Sequence, residues 1–370
     1  MQGGATNGQV CGYAASRGYP FPGGTCPAVG VAGYVLGGGW GPSCRMFGLG
    51  CDSLEGLELI DCEGKLIRAD RARNADLFWA CRGAGAGNFG VVTAMKFRLP
   101  PKTDQVTLIK INYPRASPRE REAFLRSWQE WLRGADPRIT LLARICNSSE
   151  GPAMLVRGIF YGGEEEVKRM VEPFLALPGA EERFRETALP QAAALAGNDA
   201  PPPAKFQSVS RFAMRDFSRP ELAALAGMLR ERPEGSVRTE LSLYALGGRV
   251  RDFGPDETAF FYRDARFAVR LETVWKEERF AEENQGWLKD RFPSIAFATE
   301  GSYVNFPYKG FPDALTEYYG AHGCRLKRIK EKYDPLCLFT FPQGLSAGAT
   351  PQKTALVPAG PYFLRKPLDP

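Results

Sequence analysis

The sequence predicts an α+β fold: an antiparallel sheet with helices on one face, preceded by a glycine-rich region of turns and short strands. Three observations predict it. After residue 103, apolar stretches of period two alternate with amphipathic stretches of helical period. Glycine is concentrated between Gly3 and Gly90, so the chain changes character near residue 103. Finally, 370 residues, 44% of them hydrophobic, are ample for a buried core and, at about 150 residues per domain, for two domains.

Within the first hundred residues, apolar-rich runs at 57–61 and 66–69 flank Cys62-Glu63-Gly64-Lys65, which reads as a hairpin turn. The stretch 90–99 continues as a strand with one wet face, Met95, Phe97 and Leu99 alternating with Lys96 and Arg98. Beyond Pro100-Pro101, strands are predicted at 106–113, 139–146 and 153–161, and helices at 119–133 and 164–175. A second set places strands at 206–214, 237–244, 258–262 and 267–274, and helices at 220–230 and 276–291. Trp128 and Trp131, three apart, mark the apolar face of a helix. The stretch 189–205, with Ala-Pro-Pro-Pro-Ala, reads as a loop, and the prolines beyond Phe341 give an extended or disordered tail.

Composition removes several function classes. A net charge of +6, with no block of five like charges, argues against nucleic acid as a partner. Nine cysteines without a C-x-x-C pair support neither a disulfide framework nor a zinc knuckle, and no metal site is expected. The N-terminus has no basic and apolar leader pattern, and no run of eighteen apolar residues occurs, so no membrane role is expected and a cytoplasmic location is the default. With one histidine, His322, read as a surface residue, a histidine-based triad is a poor candidate.

Two glycine motifs carry possible chemistry. Gly85, Gly87 and Gly90 match the spacing G-x-G-x-x-G, but that fingerprint needs a strand before it and a helix after it, and Val91-Val92-Thr93 is strand-like. A nicotinamide enzyme would rest on that spacing alone. The run from Gly23 to Gly41, with three consecutive glycines at 37–39, either lets backbone approach a ligand and offer N–H donors to it or is a cluster of turns.

The residues after Gly41 are more specific. Arg45-Met46-Phe47-Gly48-Leu49-Gly50-Cys51-Asp52, Asn74-Ala75-Asp76-Leu77-Phe78-Trp79, and Gly87-Asn88-Phe89-Gly90-Val91-Val92-Thr93 occur in an order that resembles the FAD domain of the berberine bridge enzyme-like oxidoreductases, within the vanillyl-alcohol oxidase/p-cresol methylhydroxylase (PCMH) fold. Tyr303-Val304-Asn305-Phe306, Tyr318-Tyr319-Gly320 and Tyr333-Asp334-Pro335 resemble that family's returning C-terminal segment, and Gly247-Gly248 with 258–263 and Trp275 its substrate domain. The resemblance implies a PCMH-type FAD domain at 1–103, a substrate-binding cap at 104–300, a berberine-bridge segment at 301–345 and a Pro-rich tail at 346–370. It also implies a pyrophosphate loop and a histidine tether ahead of the part present here, so the FAD domain is expected to be N-terminally incomplete and attachment through two side chains is not expected.

By resemblance, the cofactor is FAD, Cys26 in its Cys-Pro-x-Val-Gly context is a candidate thioether to flavin C6, and Val29, Gly30, Gly33 and Gly37 to Gly39 line the flavin and its arm. An unpaired cysteine is more often a buried hydrophobe, which is the competing reading of Cys26. Phe89, Gly90 and Val91 are expected on the adenine side, and Tyr303 and Asn305 at the ring edge, where an amide can match the pyrimidine's donors and acceptors. Tyr34 stands where the family usually has a histidine, and Phe306 where several members have a tyrosine base. The implied activity is hydride transfer from an alcohol or amine C–H of a small molecule to flavin N5, often with O2 as acceptor. Candidate bases are Tyr303, Tyr308, Tyr262 and Glu272, with Arg263 or Arg270 to lower a tyrosine, and packing is an equally good reading of each aromatic. The alternative from another class is an inactive remnant or binding scaffold that holds FAD weakly or not at all.

Overall fold

Glycine does not keep the N-terminal region free of helix. In the computed structural model, which describes residues 1–195 and 205–346, α1 (Asn7–Ala15) starts from a reciprocal capping box between Thr6 and Gln9. Next come α2 (Val31–Leu36), α3 (Cys44–Phe47), the antiparallel pair β1 (Leu54–Ile60) and β2 (Leu66–Asp70), α4 (Ala75–Ala80) and β3 (Val91–Phe97). The expectation of turns and strands alone missed all four helices, because Gly8, Gly12 and Gly33 lower helix propensity and tertiary packing overrides it. The hairpin and the strand after Gly90 are where they were expected, in a sheet of order β2-β1-β3.

The second body comprises β4 (Gln105–Tyr113), α5 (Pro118–Gly134), β5 (Ile139–Ser148), β6 (Gly151–Phe160), α6 (Glu164–Met170), α7 (Glu172–Leu175), β7 (Glu181–Ala188), α8 (Leu189–Leu195), β8 (Lys205–Ala213), α9 (Arg219–Gly227), β9 (Ser236–Ala245), β10 (Phe267–Trp275) and α10 (Ala281–Ala296). All pairings are antiparallel, in the order β7-β4-β6-β5-β9-β10-β8. The unit β-α-β-β-α occurs twice, β4 to α6 and β8 to α10, and the halves meet where β5 pairs with β9.

One face of this sheet is the core. Helix α5 opens on a Ser117–Glu120 capping box with Pro118 at its first position and buries Phe124, Trp128 and Trp131 on one stripe. Trp128 meets Phe267 edge-on at 6.1 Å, Phe124 meets Tyr113 at 5.6 Å and Trp131 meets Phe174 at 5.7 Å. Helix α8 lies on the opposite face, where Leu189 and Ala192 pack with Val106 and with Ala15 of α1, so the helices are not confined to one side.

Several boundaries differ from expectation for identifiable reasons. The stretch 258–262 is not a strand: Ala259 and Phe260 hydrogen-bond to the carbonyls of Trp79 and Arg82 at the end of α4 instead of joining the sheet. Strand β7 was not expected because its sequence, Glu-Glu-Arg-Phe-Arg-Glu-Thr-Ala, is the charged composition of an edge strand. The predicted helix at 164–175 is broken at Val171, since Pro173 can donate no helical N–H. The helix expected from 276 begins at Ala281 and runs through Pro293 to Ala296. The stretch read as a loop from 189 begins as α8, and its Ala-Pro-Pro-Pro-Ala lies outside the described residues, as do Pro351 and the later prolines.

After α10 the chain returns through α11 (Ala314–Tyr319) and α12 (Gly323–Tyr333) to the N-terminal body. His322 is buried, not on the surface. Its ring lies edge-on to Trp79 and Phe261, Nδ1 3.3 Å from the Ala259 carbonyl and Nε2 3.3 Å from Asp256. Among the described residues no helix is long and apolar enough to cross a membrane.

Candidate active site

Three buried cationic side chains hold the parts together around a common seam. Arg45 of α3 donates to the carbonyls of Ile139, Leu246 and Ala135 at 3.0, 2.6 and 2.7 Å. Arg263 pairs with Asp52 through both carboxylate oxygens at 2.7 and 2.8 Å, and Asp52 also accepts from Leu49 N–H. Lys330 of α12 is paired with Asp334 and donates to the carbonyls of Asn88 and Phe339.

The glycine triplet sits at this seam, and each member is glycine because another side chain occupies the place of its Cβ. A Cβ on Gly37 would run into the Asn305 amide, one on Gly38 would come 2.7 Å from the Phe260 ring, and one on Gly39 would come 2.8 Å from the Tyr34 ring. Gly38 and Gly39 also have positive φ, 111° and 86°. Tyr34 is buried, and its hydroxyl donates to either the Gly39 carbonyl at 2.8 Å or that of Pro22 at 3.1 Å. The triplet therefore shapes the protein's own interior, while Gly30 and Gly33 are the positions that face open space. Nothing lies within 4 Å of a Cβ on Gly30, and only Ala86 Cβ, at 3.9 Å, near one on Gly33.

Tyr303 and Asn305 return to this loop. The Tyr303 oxygen accepts from Gly39 N–H at 3.0 Å, Trp40 N–H at 2.9 Å and the Asn305 amide at 2.9 Å. The second Asn305 hydrogen goes to the Tyr34 carbonyl at 2.9 Å, so the amide keeps only its acceptor for a ligand. Burial pushes the Tyr303 phenol up to about 12, while the three N–H groups work in the opposite direction. The groups lowering it are N–H donors rather than an arginine. Arg263 is committed to Asp52, and Arg270 neighbours Tyr244.

Tyr303 forms one wall of a narrow aromatic recess with Trp40, Phe212, Tyr244, Phe260 and Phe306. The other three candidate bases lie apart from it. Tyr262 stacks on Phe212 at 4.7 Å, but its hydroxyl is held by the Glu317 carbonyl at 2.9 Å and its pKa is raised by burial. Tyr308 packs among Phe292, Phe311 and Tyr318, also raised by burial. Glu272 is bound on both oxygens, by Arg238 at 3.5 Å and by Arg270; burial raises its pKa, helped by Glu240. Phe89 is buried in the core, and a Cβ on Gly90 would come 2.5 Å from the Ile60 carbonyl, so these two pack the N-terminal sheet.

At the start of α2, Cys26 and Gly30 are exposed, Val29 is 41% exposed, and a Cβ on Gly30 would project into free space, so these small and apolar groups leave room for a flavin; Val91 is 59% exposed. Burial pushes the thiols of Cys44 and Cys81 up to about 12. Trp40, Phe212 and Tyr244 escaped the sequence reading. Tyr244 had a usable signal, the polar period of its strand, whereas Trp40 and Phe212 had none, since their meeting depends on how the two bodies dock.

Comparison with known proteins places this geometry. Residues 1–70 match the FAD binding domain family, and residues 302–346 the family described as berberine and berberine like. The chain is 32% identical over 337 residues to the uncharacterized FAD-linked oxidoreductase YvdP of Bacillus subtilis (strain 168), covering 90% of this chain and 74% of that protein. A solved chitooligosaccharide oxidase superposes with a TM-score of 0.84 at 24% identity, covering 94% of this chain and 78% of the other. The glucooligosaccharide oxidase of Acremonium strictum, whose FAD is 6-S-cysteinyl and 8α-N1-histidyl, also gives 0.84 at 22% identity, covering 95% and 78%. Its cofactor FAD and its fold established together, the chain belongs to the berberine bridge enzyme-like FAD-linked oxidoreductases.

Proposed function

We propose that the protein oxidises an alcohol or amine C–H of a small molecule in the Tyr303 recess, with O2 as electron acceptor, and that Cys26 forms a thioether to the cofactor. Bound FAD supplies a two-electron acceptor for the hydride. The substrate loses a hydride and a proton overall, and O2 leaves as hydrogen peroxide. Val29, Gly30 and Gly33 would hold the cofactor at the open side of α2, with the exposed Cys26 at hand for attachment.

One observation carries the reading: the Tyr303 oxygen, on the recess wall, receives three N–H donors and so is built to accept a proton or carry negative charge. Its role, as the phenolate that these N–H donors favour against the opposing effect of burial, is to hold the substrate hydroxyl or amine and take its proton within hydrogen-bond reach. Phe306, Phe260 and Trp40 exclude water around it.

Purified protein is expected to be yellow, or to become so on addition of FAD. Acid precipitation is expected to leave flavin absorbance in the pellet of the wild type and not of Cys26→Ala. Protein that takes up no FAD overturns the oxidoreductase reading; flavin covalently held by Cys26→Ala overturns the tether alone.

A further inference from the structure

The face of the seven-stranded sheet that looks toward the recess carries a chain of charges that the proposed oxidation leaves unused. Antiparallel register puts Arg144 of β5, Ser242 of β9 and Arg270 of β10 side by side, with Glu240 and Glu272 one row farther out. Arg238 brackets the two carboxylates, reaching Glu240 at 2.7 Å and Glu272 at 3.5 Å. Glu240 pairs in addition with Arg144, at 3.3 Å and through the same oxygen, and Glu272 with Arg270 through its other oxygen. The result is an arch, Arg144–Glu240–Arg238–Glu272–Arg270, with arginine at both ends and one positive charge more than it has negative ones.

Tyr244 neighbours both ends of the arch, and Arg144 Nε donates to Ser242 Oγ at 3.1 Å. Burial works against the charge of Arg144 and of Arg270, but Glu240 and Glu272 oppose it and keep both guanidinium groups charged. Tyr244 lines the recess, one row inward from Ser242. Arg270 lies 4.7 Å from the centre of the Phe306 ring, on the recess rim, and its buried Nε has no hydrogen-bond partner. Arg144 and Arg270 flank β9 from the two adjacent strands, about 10 Å apart at the backbone, a span that two arginine side chains close over one small anion. An arch of net positive charge, with an unsatisfied arginine donor beside a phenol and at the rim of an aromatic recess, is a site for a carboxylate.

We propose that the substrate bears a carboxylate, held between Arg144 and Arg270 beside the Tyr244 hydroxyl, with the carbon to be oxidised in the aromatic recess. The inference rests on the proposed oxidation at Tyr303 for its choice of recess, and it narrows the substrate class to hydroxy or amino acids with an apolar body.

The test uses two probes of one shape, 4-(hydroxymethyl)benzoate and 1,4-benzenedimethanol, titrated calorimetrically into the FAD-supplemented full chain. The acid is expected to bind about tenfold tighter or better, from at least one charge-assisted contact that the diol lacks, and the gap is expected to shrink as salt is added. Arg270→Met is expected to reduce the gap to about threefold or less on the same scale, weakening the acid more than the diol; Arg270→Lys is expected to retain part of it. Arg144→Met, at the other end of the arch, serves the same purpose if Arg270→Met does not fold. Wild-type protein that holds the acid no better than the diol, including protein that holds neither, overturns the proposal, as do variants that weaken both probes equally. Flavin uptake is read separately by absorbance, so failure of the anion site and failure of the flavoprotein reading give different results.

Discussion

Along one row of the seven-stranded sheet, Ala143, Leu243 and Val269 lie side by side beneath α5 and its neighbours; one residue on, the same three strands turn Arg144, Ser242 and Arg270 to the other face. The first row stabilises the protein by removing apolar surface from water. The second puts charged groups into a partly dry place, where they gain little net stability even when paired. A period of two keeps these roles apart on a single set of strands, so substitutions on one face should change stability and on the other ligand choice.

The strongest challenge to that division comes from the recess beyond the charged row. Tyr303→Phe is expected to lower turnover by about 10²- to 10⁴-fold, the range for loss of a positioned proton acceptor, with flavin absorbance retained. Steady-state assay beside an absorbance spectrum checks it. Because Gly39 and Trp40 lose their acceptor, stability should also fall by about 1–3 kcal/mol.

On the covered face, Trp128→Ala is expected to cost about 3–5 kcal/mol of stability in denaturant titration, with the preference for acid over diol unchanged. A changed preference would mean that the two faces are coupled. Arg238→Met acts on the other side: it leaves Glu240 and Glu272 without their common bracket. Loss of one partner from a buried pair costs about 3–5 kcal/mol, and the partial exposure of Arg238 brings that to about 2 kcal/mol. The arch then has no excess positive charge, so the acid should lose affinity relative to the diol. The smallest effect concerns pH. Glu221 of α9 is held down at about 2 by Arg215 and by the Ser218 cap. A carboxylate lowered in the folded state contributes stability above its unfolded value of about 4.3 and loses it as the pH falls toward 2. Glu221→Gln should lower stability at neutral pH and, because that contribution is already absent near pH 2, flatten the acid limb of a stability–pH curve in that window.

Much of the architecture was legible because periodicity survives folding. The strands at 106–113, 139–146 and 267–274 and the helix at 119–133 are each found within two residues of expectation at either end, their apolar faces inward. Motif order located Tyr303 and Asn305 beside the glycine triplet across more than 260 residues of chain. Other features were illegible for physical reasons. The purpose of Gly37 and Gly38 depends on side chains from two distant segments, and that of Gly39 on Tyr34 of the preceding helix, so composition alone could not distinguish a ligand cradle from room for Asn305, Phe260 and Tyr34. His322 reads as a polar helix residue until Trp79 and Phe261 close over it. The polar positions 238, 240, 242, 270 and 272 stand at period two in the sequence, but their assembly into an arch depends on the lateral register of β5, β9 and β10, which no single strand specifies.

Arg45 bears on how molecules enter and leave. Its guanidinium binds carbonyls that follow α5, open β5 and follow β9, so a single side chain from the N-terminal body is fastened to three points of the other. Swinging the bodies apart would strip three buried carbonyls of their donor at once and leave a bare cation in the gap. Jaw-like opening is therefore the expensive route. The recess walls, Trp40 from one body and Tyr244 from the other, 4.8 Å apart between ring centres, therefore keep their spacing, and that spacing, more than any closing motion, selects what the recess admits.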